Sequence, residues 1–173
     1  IGKDLGFPDW KELIRRIGEH PNIKGANLIA STRDSSTITQ LLYQKFKAAF
    51  VAAKGVSLDA QDKMIEMEVR AGWRTIVHES LYRDLPDDID ELLTNDRYLE
   101  SYAGIIKESP LTVTYNFDDT IEKILKKHRG PREKESRGYT TYWSGNVQLN
   151  AKSGGVVYHP NGFLPRNLKE RPS

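Results

Sequence analysis

The stretch Pro-Leu-Thr-Val-Thr-Tyr-Asn-Phe-Asp-Asp, residues 110–119, decides the fold. Its β-branched and aromatic residues from Leu111 to Tyr115 predict a short strand that runs into a polar turn. Asp118 or Asp119 can cap the helix that follows. The apolar residues of that helix are Ile121, Ile124 and Leu125. A strand followed directly by a helix is typical of the repeating unit of a parallel α/β domain.

Two more strands are predicted downstream. The charged residues 126–137, with Gly and Pro among them, predict an exposed loop. Residues 139–143 are a candidate strand, and residues 155–159 are a stronger one because the turn Pro160-Asn161-Gly162 follows them. Strands separated by helical crossovers predict a Rossmann-like parallel sheet in an α/β fold. Two clear strands are too few for a complete sheet, so further strands are expected.

The part of the chain before residue 110 is helical by its apolar spacing. The spacing predicts helices over 9–20, 36–54, 57–82 and 87–106, the last in one piece or two. Asp9 is expected to begin the first helix and Gly55 to end the second. In the third helix the predicted inward residues are Met64, Met67, Trp73, Ile76 and Val77. A helical portion of about 9–107 therefore precedes a strand-helix-strand portion of about 110–165.

Composition excludes several classes of function. The chain has 173 residues, enough for one compact domain, and its formal net charge is +2. That balance, with no aromatic stacking platform beside the basic run after Lys123, predicts no direct nucleic-acid binding. No apolar run reaches the length of about 20 residues that spans a membrane. The absence of cysteine excludes disulfides and Cys-based zinc sites, and it fits a cytoplasmic protein.

Three clusters of residues are candidates for a site. Because ligands of open parallel sheets bind beyond the carboxyl ends of the strands, residues 114–118 and 158–162 are expected at the site. Residues 6–10 precede the first helix, where backbone N–H groups can face an anion. Each cluster also has a plain structural interpretation. Residues 114–118 can be a turn with a helix cap, and His159 can be a packed or hydrogen-bonded histidine. Residues 6–10 can be a turn with an aromatic anchor.

In this order, the clusters resemble the sirtuin-like (silent information regulator-type) NAD-hydrolase domains of bacterial anti-phage defence proteins. Gly6 to Trp10 resembles the element that follows the family's glycine-rich NAD loop. Thr114 to Asp118 matches the family's Thr-x-Asn-x-Asp pattern, which is extended here through Glu122. Val156 to Pro165 resembles the strand that ends in a His-Gly pair. The lack of cysteine places the resemblance in the family's zinc-free branch.

The resemblance covers nearly the whole chain and includes a helical insertion between the first two motifs. It implies that residues 1–173 form part of such a domain. The family's first strand and its Gly-Ala-Gly loop are expected before Ile1, and the closing strand and helices after Ser173. Additional protein domains or subunits of a defence complex, and an oligomeric state, are the partners that the resemblance implies.

NAD is the substrate that the resemblance implies, with cleavage into nicotinamide and ADP-ribose and with no metal. Asn116 is expected to orient the reacting ribose or the attacking water. Asp118 is expected to hold the nicotinamide carboxamide or to support the turn at Asn116, while Asp9 and Trp10 line the nicotinamide side. The full set of expected NAD-binding residues is Gly6, Phe7, Pro8, Asp9, Trp10, Thr114, Asn116, Asp118 and Gly162.

Asn161 is a departure from the family pattern, because the family's catalytic His stands directly before the motif Gly, here Gly162. His159 lies two residues earlier and would not ordinarily replace that His. An asparagine does not take up a proton near neutral pH, and losing a positioned general base slows a reaction by about 10²–10⁴-fold. The sequence thus predicts a chain that binds NAD and hydrolyses it poorly or not at all. A module that senses NAD or ADP-ribose without turnover, and an interaction domain for partner subunits, are the alternatives.

Overall fold

The computed structural model describes residues 5–23, 34–55, 63–85, 97–127, 139–143 and 155–167. Their elements are α1 (Trp10–Gly18), α2 (Ser35–Lys54), α3 (Lys63–Tyr82), α4 (Arg97–Glu108), β1 (Leu111–Val113), α5 (Thr120–Lys127), β2 (Tyr139–Trp143) and β3 (Gly155–His159). The chain divides into two compact units, Ile1–Leu85 and Pro86–Ser173. The described helices and parallel strands confirm the predicted α/β class. The predicted helical residues 57–62 and 87–96, and residues 128–137 of the predicted loop, lie outside the described residues. The loop prediction was wrong for residues 126 and 127, which belong to the last turn of α5.

The first unit consists of α1, α2 and α3, each of which contacts the other two. Asp9 begins α1 as predicted, since its Oδ1 accepts a hydrogen bond from Glu12 N at 2.8 Å. Asp34 caps α2 in the same way, through Ser36 N and Thr37 N. Gly55 ends α2 in the left-handed conformation with φ of +68°, which confirms its predicted role.

The buried face of α3 differs from the predicted one. Met64 and Met67 are 63% and 64% exposed, whereas Val69 and Ile76 are buried. An α-helix turns by about 100° per residue, so Met67 lies about 160° around the axis from Val69. The inward prediction was therefore wrong for both methionines and right for Ile76. The buried apolar side chains of the three helices include Leu13, Ile14, Ile17, Ile38, Leu42, Phe46, Val51, Val69, Ile76 and Leu81.

The second unit contains a three-stranded parallel sheet in the order β1-β3-β2. Leu111 pairs with Val156 across β1 and β3, and Trp143 pairs with His159 across β2 and β3. The candidate strand at 139–143 is thus confirmed as the third strand. β1 ends at Val113, two residues earlier than predicted, because the chain bends at Tyr115.

Two helices cover this sheet. α4 and α5 contact each other, and their buried side chains Ile106, Ile121 and Leu125 meet Val157 of the central strand. The predicted inward residues of α5 are all buried. Within the described ranges, no helix has both the length and the apolar character needed to cross a membrane.

The strands β1 and β3 are parallel neighbours, so their carboxyl ends lie side by side at one edge of the sheet. The first two predicted clusters begin at these two strand ends.

Candidate functional site at the carboxyl ends of the strands

A tight turn follows β1 and brings Asn116 to the surface. Thr114 N donates to Tyr158 O at 2.9 Å, so the last rung between β1 and β3 anchors the turn. The buried Thr114 hydroxyl then accepts a hydrogen bond from Asn116 N at 3.2 Å. The Asn116 side chain is exposed, and its amide makes no hydrogen bond to any described residue. At the edge of the sheet, the turn thus carries a carboxamide that bonds to none of the described residues, on a backbone held by the Thr114 hydroxyl.

His159 fixes that backbone from the neighbouring strand. Its side chain is fully buried, and Nδ1 lies 2.7 Å from Asn116 O. Because a carbonyl oxygen only accepts, Nδ1 carries the proton of this bond. Nε2 lies 3.0 Å from Glu122 Oε1. Both ring nitrogens are therefore engaged inside the protein, and neither is free to contact a substrate.

Glu122 links this histidine to the rest of the sheet. Its Oε1 also accepts a hydrogen bond from Thr141 Oγ1 at 2.9 Å. Its other carboxylate oxygen, Oε2, is buried and has no hydrogen-bond partner among the described residues. Glu122 lies on α5, Thr141 on β2 and His159 on β3, while Asn116 follows β1. One connected set of hydrogen bonds thus joins the helix to the middle of β2, the end of β3 and the turn after β1.

The charge of the His159–Glu122 pair follows from its surroundings. Burial alone lowers the pKa of His159, but the hydrogen bond and charge of Glu122, with contributions from Asn116 O and Asp118, outweigh burial and raise the pKa. A protonated ring donates from both nitrogens, which matches one carbonyl and one carboxylate as acceptors. The geometry therefore favours an imidazolium paired with a carboxylate.

The two aspartates after Asn116 begin α5. Asp118 Oδ1 accepts from Thr120 N at 3.0 Å, and Asp119 O accepts the bond from Lys123 N. Asp119 Oδ2 also accepts from Arg166 N at 3.0 Å, which ties the helix start to the segment after β3. Burial raises the pKa of Asp118, and its bond to Thr120 only partly offsets this effect. Asp118 therefore caps the start of α5, as predicted for Asp118 or Asp119, and its expected roles at the nicotinamide carboxamide and at the turn of Asn116 stay predictions.

Asn161 occupies an exposed turn and has a different hydrogen-bond partner from His159. Gly162 N donates to His159 O at 3.1 Å, and Gly162 adopts φ of +100°, a conformation that favours glycine. Asn161 is exposed, and its Nδ2 donates to Tyr115 O at 3.0 Å. The turn thus separates two residues that alternate spacing would place on one face. Asn161 and His159 thus bond to the carbonyl oxygens of two adjacent residues in the same loop, Tyr115 and Asn116 respectively.

The cluster at residues 6–10 belongs to the first unit. Gly6 has φ of +86°, and buried Phe7 meets Tyr82 edge-on with ring centroids 5.7 Å apart. Asp9 caps α1, and Trp10 is 50% exposed. Pro8 is half-buried. The turn with an aromatic anchor is thus present, and Trp10 is the member of the cluster with the most exposed ring.

The structure brings together, within the second unit, the predicted residues Thr114, Asn116, Asp118, His159, Asn161 and Gly162. Reasoning from the sequence gave no role to Glu122 or Thr141, which complete the hydrogen-bonded set. The sequence placed Glu122 in the extension of the Thr-x-Asn-x-Asp pattern and in the first turn of a helix, where an acidic residue is ordinary, and neither place predicts a bond to His159. In the part of the chain that the structure describes, no three acidic or histidine side chains are grouped to hold a metal ion.

Comparison with known proteins adds no relative to this description. No known protein family, no curated protein and no solved structure matches the chain.

Proposed function

We propose that this chain is the NAD-binding part of a sirtuin-like NAD hydrolase of bacterial anti-phage defence, with turnover weakened or lost at Asn161. Its three-stranded sheet would be part of a larger Rossmann-like sheet, in a cytoplasmic oligomer with other defence subunits. The observation that carries the proposal is the exposed, unbonded amide of Asn116, held at the carboxyl edge of a parallel sheet by the buried bond from His159. Such an edge is where open α/β sheets bind nucleotides.

The chemistry asks for groups that Asn116 can supply. In the proposed reaction, water adds to C1′ of the nicotinamide ribose as the bond to nicotinamide breaks. The bonding electrons leave with nicotinamide, and a proton is released with ADP-ribose as the other product. A carboxamide both donates and accepts, so Asn116 can orient a ribose hydroxyl or the attacking water. Its fixed backbone lowers the cost of ordering it in the transition state.

Asp118 and Asn161 have more restricted roles. Asp118 is buried and bonded to the backbone of α5, which supports a positioning role for it. Asn161 Nδ2 is already bonded to Tyr115 O, and an amide does not accept a proton from a ribose hydroxyl. Weak turnover follows from the chemistry of residue 161 alone. Residues 6–10 stay predicted NAD-binding residues, with Asp9 and Trp10 predicted on the nicotinamide side, and Trp10→Ala would test that side by NAD affinity.

A module that senses NAD or ADP-ribose without turnover is the second candidate. The bond from Asn161 to Tyr115 O favours it, because it gives the asparagine a structural role that suits binding. Restoring the histidine separates the two candidates. NAD hydrolysis that appears only in Asn161→His supports the hydrolase, whereas NAD binding without hydrolysis in either form supports the sensor.

The proposed site is tested by calorimetric titration of NAD into the full-length protein. Asn116→Ala removes the exposed amide and leaves the backbone carbonyl that His159 holds. We expect NAD affinity to fall about 10-fold, the effect of losing one well-placed hydrogen bond. Asn22→Ala is the matched control, because it removes an exposed asparagine of the first unit. Equal affinities of Asn116→Ala and the parent protein would remove Asn116 from the site.

A further inference from the structure

We infer that His159 is a positioning residue that sets the conformation of Asn116 for NAD, with Glu122 orienting the His159 ring, and this inference rests on the proposed function. The pair itself would touch no substrate. The pair acts through the hydrogen bond from His159 Nδ1 to Asn116 O, which fixes the backbone of the residue that carries the exposed amide.

The hydrogen bonds of the pair lead from the strands, through Glu122 and His159, to the loop at Asn116. Thr141 Oγ1 and His159 Nε2 both bond to Glu122 Oε1, so β2 and β3 locate the carboxylate. The carboxylate in turn fixes the imidazole ring, whose opposite nitrogen reaches Asn116 O. Phe163 packs against the ring, with centroids 4.8 Å apart, and limits its rotation. A rigid sheet thus controls the position of a loop residue through one buried side chain.

The alternative is that His159 only stabilises the fold. A buried polar set of this kind costs free energy when one member is removed, whatever its effect on a ligand. Loss of stability in a variant is therefore no evidence for positioning. The informative readout is NAD affinity per folded molecule, together with the order of the Asn116 backbone.

Two substitutions of His159 separate the two ends of the ring. The side-chain nitrogen of asparagine lies where Nδ1 lies, so His159→Asn can keep the bond to Asn116 O and loses the bond to Glu122. The nitrogen of glutamine lies where Nε2 lies, so His159→Gln can keep the bond to Glu122 and loses the bond to Asn116 O. Glu122→Gln is the conservative variant, because its amide can bond to a neutral imidazole at Nε2.

The experiment measures NAD affinity by calorimetry, corrected for the folded fraction, in the full-length protein and each variant. We expect His159→Gln to lose about 10-fold in affinity, and His159→Asn and Glu122→Gln to stay within about 2-fold of the parent. His20→Gln is the matched control, because His20 forms a comparable contact with Glu79 in the first unit. Equal NAD affinities of His159→Asn and His159→Gln would overturn the inference.

Hydrogen exchange at Asn116 N keeps the inference separate from the proposed function. This amide donates to Thr114 Oγ1 and reports the order of the loop. We expect its exchange to be faster in His159→Gln than in His159→Asn. If the parent protein binds no NAD, the proposed function fails, and this exchange difference alone decides whether His159 positions Asn116. Equal exchange in the two variants would then overturn the positioning role.

Discussion

The two units of the chain place their polar groups in different ways. In the first unit, the described buried polar side chains are Arg16 and Ser80, and the rest of the interior is mainly apolar. In the second unit they are Thr114, Asp118, Asp119, Thr120 and His159, all in or next to the segments at the carboxyl ends of the strands. Burying a polar group is costly unless it is hydrogen-bonded. The second unit groups its described buried polar side chains at one edge of its sheet, which is where the proposed site lies.

One pair of contacts makes the difference concrete. His20 Nε2 lies 2.9 Å from Glu79 Oε2 in the first unit, and His159 Nε2 lies 3.0 Å from Glu122 Oε1 in the second. The Glu79 side chain is 57% exposed, whereas those of His159 and Glu122 are 1% and 13% exposed. The His20 side chain is 14% exposed, so the difference lies in the carboxylate, since water can hydrate Glu79 if His20 is removed but reaches little of Glu122. The comparison teaches that burial, and not distance, decides what such a contact is worth.

The buried arginine of the first unit follows the same rule. Arg16 bonds to Glu12 and Asp84, and Asp84 is mostly exposed. Its guanidinium also lies 3.5 Å from Ser80 O. The aliphatic part of the side chain packs among the helices while its charge meets partners at the surface. The first unit thus keeps its charges close to water, even where the side chain that carries them is buried.

The largest expected effect comes from removing the buried histidine. His159→Ala leaves the Glu122 carboxylate buried without its partner, so we expect the second unit to lose about 4 kcal/mol of stability. His20→Ala should cost less than about 1 kcal/mol, because Glu79 remains hydrated. Hydrogen exchange of the β3 amides measures the first loss and that of the α1 amides the second. Similar losses in the two variants would contradict the argument that burial decides.

Removing apolar volume from the first unit should have the next largest effect. Leu42 is fully buried in α2, and Leu42→Ala should cost about 3 kcal/mol through the lost burial and the cavity left behind. Leu41→Ala, at the exposed neighbouring position, should change stability by less than about 0.5 kcal/mol. Exchange of the α2 amides measures both. A small loss in Leu42→Ala would mean that the first unit does not depend on its apolar core.

Gly55→Ala should have a smaller effect of about 1 kcal/mol. The added methyl group meets no atom within 4 Å, so any loss comes from the left-handed backbone at φ of +68° and not from crowding. Denaturation by urea, followed through the helical signal, measures the loss. Gly104→Ala is the control, because it also adds a methyl group to open space but has no left-handed backbone. A loss in Gly104→Ala as large as that in Gly55→Ala would remove the backbone argument.

Much of this architecture could be predicted from local sequence. The starts and ends of helices at Asp9 and Gly55 follow from side-chain capping and backbone conformation, which act within a few residues. The strands at 139–143 and 155–159 follow from composition and flanking turns. The face of α3 could not be fixed in this way. Met64 and Met67 are apolar and helically spaced, but which side is buried depends on the helices that pack against Val69.

The site could be predicted only in part. The rule that ligands bind beyond the carboxyl ends of parallel strands selected the segments of Asn116 and Asn161, and these segments lie together. The turn Pro160-Asn161-Gly162 was predicted, but the hydrogen-bond partners of His159 and Asn161 depend on how that turn folds, with a positive φ at Gly162, and local sequence does not give those partners. Glu122 and Thr141 come from a helix and a strand distant in sequence. Their meeting at His159 is a property of the folded sheet.

The smallest expected effect is a dependence of stability on pH that belongs to the second unit. The pKa of His159 in the folded chain is raised above its unfolded value of about 6.5, mainly by Glu122 acting against burial. A raised folded pKa means that the folded state holds the proton more tightly. The resulting stability is fully present below the unfolded pKa and is lost as pH rises through the folded pKa. We expect protection of the β3 amides, corrected for intrinsic exchange, to fall over that interval, and His159→Gln to remove the fall. Asp118 also has a raised pKa, from burial, so the stability that its protonation contributes is lost as pH rises above the usual range of an aspartate. Asp118→Asn should remove that contribution and leave the histidine step in place. A step that persists in His159→Gln and disappears in Asp118→Asn would assign the pH dependence to Asp118. That result would contradict the positive charge that we assign to the His159 ring.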